Sequence, residues 1–195
     1  MQDLTSAMSL ERGSAPGRFD AFRARLKGTL LLPEDPDYDQ VRRLWNGMVN
    51  KRPAAIARCA SSADVAAAVR FARETGLAIA VRAGGHSIAG QSSCDGGLMI
   101  DLSLMKRIEV DPARRIARAE AGLLLGELDA ATQARGLATT MGVNSDTGIA
   151  GLTLGGGLGR PGRKHGRACD NLLAAEEVLA DGRVVPASAE ENPDL

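Results

Sequence analysis

The chain has 195 residues, 44% of them hydrophobic, and its charges cancel to a formal net charge of zero. That length supports one sizeable domain or two small lobes. Aromatics make up 3% and no basic stripe is interleaved with them, which excludes a nucleic-acid partner. No apolar run is long enough to span a bilayer, and the N-terminus, with Asp3 and Glu11, lacks the apolar core of a signal peptide. The chain therefore reads as cytoplasmic, with no membrane partner.

Residues 1 to about 17 are polar and carry Gly, Ser and Pro, as a frayed terminus does. Phe19 to Leu26 suits a short helix, and Pro33-Glu34-Asp35-Pro36 marks a loop. Tyr38 to Val49 places Val41, Leu44, Trp45 and Met48 at helical spacing and predicts a second helix. Ala54 to Cys59 reads as a strand. Ser61-Ser62-Ala63-Asp64 fits a capping box, after which Val65, Ala68, Val69 and Ala72 recur at i, i+3, i+4, i+7. Gly76 stops that helix, and Leu77 to Val81 follows as a buried strand. This is a βαβ unit with its two strands parallel. At the carboxyl end of its second strand stands Arg82-Ala83-Gly84-Gly85-His86-Ser87, where open α/β sheets tend to bind ligands.

Leu98 to Leu102 is a further strand. Arg107 to Val110 and Arg115 to Glu120 flank a hairpin turn at Asp111-Pro112-Ala113-Arg114. Leu124, Leu128 and Ala131 line a helix that ends at Gly136. Gly142 to Gly166 is glycine-rich. Leu173 to Ala180 and Arg183 to Val185 flank Asp181-Gly182, a strong hairpin signal. The first lobe alternates β and α and the second is rich in hairpins, so the fold class is α+β.

Several motifs compete for meaning. Gly157 to Gly162 satisfies G-x-G-x-x-G, but Pro161 interrupts the loop and Gly166 stands where a helix should grow, which argues against a Rossmann site. Asp146-Thr147-Gly148 matches the tripeptide of aspartic proteases, which need two such carboxylates; one copy would require a homodimer. Cys59, Cys94 and Cys169 give neither a disulfide framework nor a zinc spacing, and no metal site is expected. Gly155-Gly156-Gly157 with Gly159 is flanked by Ile149, Leu152 and Leu154, whereas a solvated linker would be polar, so it reads as a ligand-facing turn. Of the two histidines, His165 lies among Arg163, Lys164 and Arg167 as a surface residue does. His86 shares its loop with Gly84, Gly85 and Ser87, where backbone N–H groups suit a diphosphate.

Three stretches in order carry a family resemblance: Arg82 to Ser87, Ser145 to Gly159, and Arg163-Lys164-His165-Gly166 with Cys169 to Leu173 leading into Asp181-Gly182. Together they resemble the PCMH-type FAD-binding domain of the vanillyl-alcohol-oxidase and berberine-bridge-enzyme-like oxidases. The resemblance implies a small βαβ lobe followed by a larger hairpin-rich α/β lobe. Residues 1–50 would form an N-terminal extension and helix, and 51–195 the FAD-binding domain without its C-terminal part and substrate domain.

By resemblance, Arg82, Ala83, Gly84, Gly85, His86 and Ser87 wrap the FAD diphosphate, with His86 as covalent ligand of the 8α-methyl carbon. Asp146, Thr147, Gly148, Gly151, Thr153, Leu154, Gly156 and Gly157 line the diphosphate, ribityl chain and ring. The second, cysteinyl link of some relatives falls here on Asn144, so a single link is implied. Arg160-Pro161 and Arg167 replace apolar residues of the family. The implied activity is FAD-dependent hydride removal from an alcohol, amine or sugar carbon with O2 as acceptor. The alternatives are a non-catalytic flavin-binding remnant and, third, the dimeric protease through Asp146. No residue is assigned as catalytic base.

Overall fold

Residues 17–195 are described by the computed structural model; the frayed terminus expected at the start of the chain lies almost wholly outside them. In chain order the first half comprises α1 (Arg18–Arg23), β1 (Thr29–Leu31), α2 (Tyr38–Val41), β2 (Ala55–Arg58), α3 (Ser62–Thr75), β3 (Ile79–Arg82) and β4 (Leu98–Asp101). The four strands form one sheet in the order β1-β2-β4-β3. β2 and β3 both run parallel to β4, and β1 is antiparallel at the edge.

The βαβ unit is thus split: its two strands are parallel, but β4 lies between them. β4 takes the centre because all of Leu98, Met99, Ile100 and Asp101 can be buried on both faces. β3 is at the edge instead of inside, with Ile79 and Val81 exposed, which corrects the reading of Leu77 to Val81 as a buried strand. An apolar run alone does not distinguish a central strand from an edge.

Helix α3 begins where Ser61 caps it, its side chain accepting from the Asp64 N–H, and ends at Gly76, whose φ of 67° is left-handed. Asp64 has more to do than close the cap. Its buried carboxylate accepts from Lys27, Gly28 and Ala60 N–H groups at 2.9–3.0 Å, tying the turn before β1 to the helix start. Small residues, Ala68 and Ala72, let α3 approach Ala55, Ala57 and Ile100 of the sheet. Phe22 of α1 stacks on Phe71 at 4.2 Å and closes the core.

The helix expected over Tyr38 to Val49 is only one turn long. Tyr38 is fully buried, its hydroxyl donating to the Pro53 carbonyl at 2.6 Å. Beyond Val41 the Arg42 guanidinium donates to Asn50 Oδ1 and the Lys51 carbonyl, which pulls the chain into a loop. Trp45 and Met48, which helical spacing aligned with Val41 and Leu44, are 61% and 90% exposed. Tertiary ties overrode local periodicity there.

The second half holds the hairpin β5 (Ile108–Asp111) and β6 (Ile116–Ala119), then α4 (Leu125–Gln133), α5 (Ile149–Leu154), α6 (Gly162–His165), and the hairpin β7 (Ala174–Val178) and β8 (Val184–Ser188). The Asp181-Gly182 turn forms as expected, with Gly182 at φ 81°. Its carbonyl accepts from Arg70 at 2.6 Å, which docks the last hairpin on α3.

Candidate functional site

The site is built on a charge clamp at the carboxyl ends of the parallel strands. Register places Arg58 of β2, Asp101 of β4 and Arg82 of β3 side by side. The fully buried Asp101 carboxylate accepts from Arg82 Nη1 at 2.9 Å, Arg58 Nε at 3.3 Å, Ser103 Oγ at 2.8 Å and Ser103 N–H at 3.1 Å. A buried carboxylate is tolerable only when so satisfied. The clamp fixes the point from which the 82–87 loop departs.

Arg82 lies underneath that loop. Gly85, at φ 71°, approaches the Arg82 Nε so closely that a Cβ there would lie 3.2 Å from it. The Nε itself is buried without a protein partner. Gly84 meets Gly148 of the second glycine segment: a Cβ on Gly148 would come within 2.5 Å of the Gly84 nitrogen and 2.7 Å of its Cα. Side chains at either position would push the two backbones apart. The backbone N–H groups from Ala83 to Ser87 find no acceptor among the described residues. A run of unpaired donors beside a close backbone crossing is a cradle for an anionic group.

His86 stands at the rim. Its imidazole is half-buried, with Nε2 3.6 Å from Asp146 Oδ2 and the ring stacked against Trp45 at 5.3 Å between centroids. The Trp45 N–H also donates to the Gly85 carbonyl at 3.0 Å. Asn46 donates to the Ile88 carbonyl, and the Lys51 ammonium to the Gly90 and Ser93 carbonyls, so the segment before β2 straps the loop from outside. Sequence reasoning missed Trp45 because it used the residue only as part of the helical spacing of Tyr38 to Val49. It missed Asp101 because an aspartate ending an apolar strand carries no motif of its own.

The match to known proteins follows this geometry. The model of the family described as "FAD binding domain" covers residues 53–188. The chain belongs to the FAD-binding domain family. It is 41% identical over 170 residues to (R)-6-hydroxynicotine oxidase of Paenarthrobacter nicotinovorans, covering 87% of this chain and 37% of that protein. The crystal structure of 6-hydroxy-D-nicotine oxidase from Arthrobacter nicotinovorans superposes with a TM-score of 0.85 at 40% identity, over 87% of this chain and 37% of that one. Glucooligosaccharide oxidase from Acremonium strictum, described with a 6-S-cysteinyl, 8α-N1-histidyl FAD, superposes with a TM-score of 0.85 at 33% identity, over 91% and 38%. The chain spans under two-fifths of the length of these relatives.

The residues present fit FAD. The free N–H groups of Ala83 to Ser87 and the Gly84–Gly148 crossing offer a diphosphate both donors and room for close approach. Residues 145–149 are tied by backbone to the start of α4: Leu125 N–H donates to the Thr147 carbonyl, Ile149 N–H to the Leu123 carbonyl, and Gly126 N–H to the Ser145 carbonyl. Gly151 has open space around it, Thr153 is partly buried and Leu154 is 80% exposed, so this side of α5 is open to solvent. Gly156 and Gly157, at φ 104° and 72°, instead pack on the third stretch, accepting from Cys169 and Ala168 N–H groups. The G-x-G-x-x-G match leads only into the four residues of α6.

The departures from the family also have places. Arg160 and Pro161 border a cleft of about 240 Å³ with Met141 to Ser145. The exposed Arg167 pairs with Asp170, whose carboxyl it holds below the usual range through its N–H and guanidinium. Asn144 is exposed, and its carbonyl accepts from Thr147 N–H. The cysteines are free and lie elsewhere; burial pushes the Cys59 thiol up to about 12. No described helix is long and apolar enough to cross a membrane.

Proposed function

We propose that this chain is the FAD-binding part of an FAD-dependent oxidoreductase and carries its flavin on a single 8α-histidyl link at His86. The observation that carries this reading is the backbone crossing of Gly84 and Gly148, with unpaired N–H groups from Ala83 to Ser87 beside a half-buried His86. The relatives named above, an amine-type and a sugar oxidase, support the class.

Ala83 to Ser87 hold the diphosphate through backbone N–H groups. Arg82 acts from below, because its guanidinium is committed to Asp101; it keeps the loop in shape and lends a partly neutralised positive charge. Thr147, Gly148 and Gly151 form the opposing wall, with Asp146, Thr153, Leu154, Gly156 and Gly157 bordering it. Asn144 cannot form a thioether, so no second link is made. When bound, FAD supplies a two-electron acceptor that takes hydride from an alcohol, amine or sugar-type carbon and passes the electrons to O2. The protein's contribution is orientation and an electrostatic setting.

The test is acid precipitation of the purified chain expressed with riboflavin. Yellow, fluorescent flavin stays in the pellet, and His86→Ala still binds FAD but releases it to the supernatant. A colourless protein that fails to bind added FAD overturns the function; flavin that washes free of the wild type overturns only the link.

A further inference from the structure

Trp45 lies outside the residues matched by the family model, yet its indole is stacked on His86, 5.3 Å away and inclined by 23°. Asp146 approaches the same imidazole from the other glycine segment, at Nε2. We infer that Trp45 and Asp146 are positioning residues for His86: the indole sets the plane of the imidazole, and the carboxylate keeps the proton on Nε2, so that Nδ1 is the nitrogen that bonds to the flavin. The inference rests on the proposed link at His86 and specifies its chemistry.

Three observations carry it. First, stacking at this separation lies within the range of favourable aromatic pairs, and the Trp45 backbone is pinned by its N–H bond to the Gly85 carbonyl, one residue before the histidine. The indole is therefore not a free side chain that happens to lie near; its main chain is bonded to the loop it covers. Second, an ionised carboxylate only accepts hydrogen bonds, and a neutral imidazole carries its proton on one nitrogen. A carboxylate 3.6 Å from Nε2 is an electrostatic partner that favours the proton there. Third, no described residue pairs with Nδ1, which leaves its lone pair available.

Attachment forms an Nδ1–C bond at the 8α-methyl carbon and breaks one methyl C–H bond. The methyl proton and the Nε2 proton leave, the latter toward Asp146. The electron pair goes to the flavin, from which O2 takes it with two protons as hydrogen peroxide. Asp146 thus has a second use, as the group nearest to the proton that attachment must remove.

The decisive measurement needs no flavin. Long-range proton–nitrogen correlation of the imidazoles in ¹⁵N-labelled chain from a riboflavin-starved host separates the two tautomers, and His86→Ala assigns the signal against His165. The Nε2–H tautomer is expected for His86, giving way to a mixture in Asp146→Ala; an Nδ1–H tautomer in the wild type overturns the proposal. With FAD added, Trp45→Ala should slow formation of acid-stable flavin by about tenfold or more, leave the reversible FAD affinity near that of the wild type, and be rescued by Trp45→Phe. Attachment at the wild-type rate in Trp45→Ala overturns the indole's role. A wild type that binds FAD but never forms acid-stable flavin overturns the link reading and the Nδ1 assignment with it, while the tautomer still judges the role of Asp146 by itself.

Discussion

The Arg82–Ser87 loop leaves a strand whose end is held by a buried carboxylate shared between two guanidinium groups. The Asp146–Gly157 segment is held by backbone bonds to the start of α4, at a more exposed place, where the partner carboxylate Glu127 accepts from Leu124 N–H and from the Lys106 ammonium. The two meet at Gly84 and Gly148. One wall of the cradle is thus set by low-dielectric electrostatics that any loss would unbalance, and the other by local main-chain bonding that solvent screens. The rigid wall carries the histidine; the softer wall carries the carboxylate that faces it.

The largest break in this asymmetry should come from Asp101→Ala. It strands the Arg58 and Arg82 charges and should cost about 3–5 kcal/mol, read as a lower urea midpoint. An unchanged midpoint would mean that the clamp is not what fixes the loop. Next, Gly148→Val forces the backbones apart. Overpacking of this kind costs about 1–3 kcal/mol, and FAD fluorescence titration should show affinity lost out of proportion to stability. Equal losses would place the crossing outside the binding site.

A third experiment uses Cys59, fully buried just after Arg58, its N–H donating to the Asp101 carbonyl. Burial raises its folded pKa to about 12 from a reference of 9.0. Its neutral form therefore stabilises the fold fully below about pH 9, and that contribution is lost as pH rises from 9 toward 12. Chemical denaturation across this window should show a falling stability whose slope shrinks in Cys59→Ala; an unchanged slope would assign the alkaline loss elsewhere. The smallest effect is expected on the soft wall. Desolvation pushes the Glu127 carboxyl up, but the Lys106 ammonium and Leu124 N–H outweigh it and hold its pKa below the usual range. Its contribution is present above that range and fades as pH falls through the folded value. Because the pair is exposed, Glu127→Gln should cost less than about 1 kcal/mol, with FAD affinity nearly intact. A loss as large as that of Asp101→Ala would erase the distinction between the walls.

Much of the fold was legible in local signals. Ser61, Gly76 and the spacing of Ala68 and Ala72 are short-range, and they placed α3 within a residue or two. Asp181-Gly182 did the same for the last hairpin. Tyr38 to Val49 misled because helical spacing of apolar residues reports which face could be buried, not whether anything packs there. The long-range bonds of Arg42 and Trp45 decided that the chain should turn outward. The edge position of β3 was equally hidden, since strand order depends on which strand can bury both faces.

The sequence by itself determined most of the elements, the three ordered motifs, and the placement of a glycine–histidine loop after a strand. These follow from near-neighbour sterics and capping, which a short window contains. Only the tertiary structure decided that Gly84 lies on Gly148, that Asp101 serves both Arg58 and Arg82, and that Trp45 and Asp146 meet His86 from opposite directions along the chain. Those pairings join residues tens of positions apart, and their energies depend on burial and distance that exist only once the sheet and loops are packed.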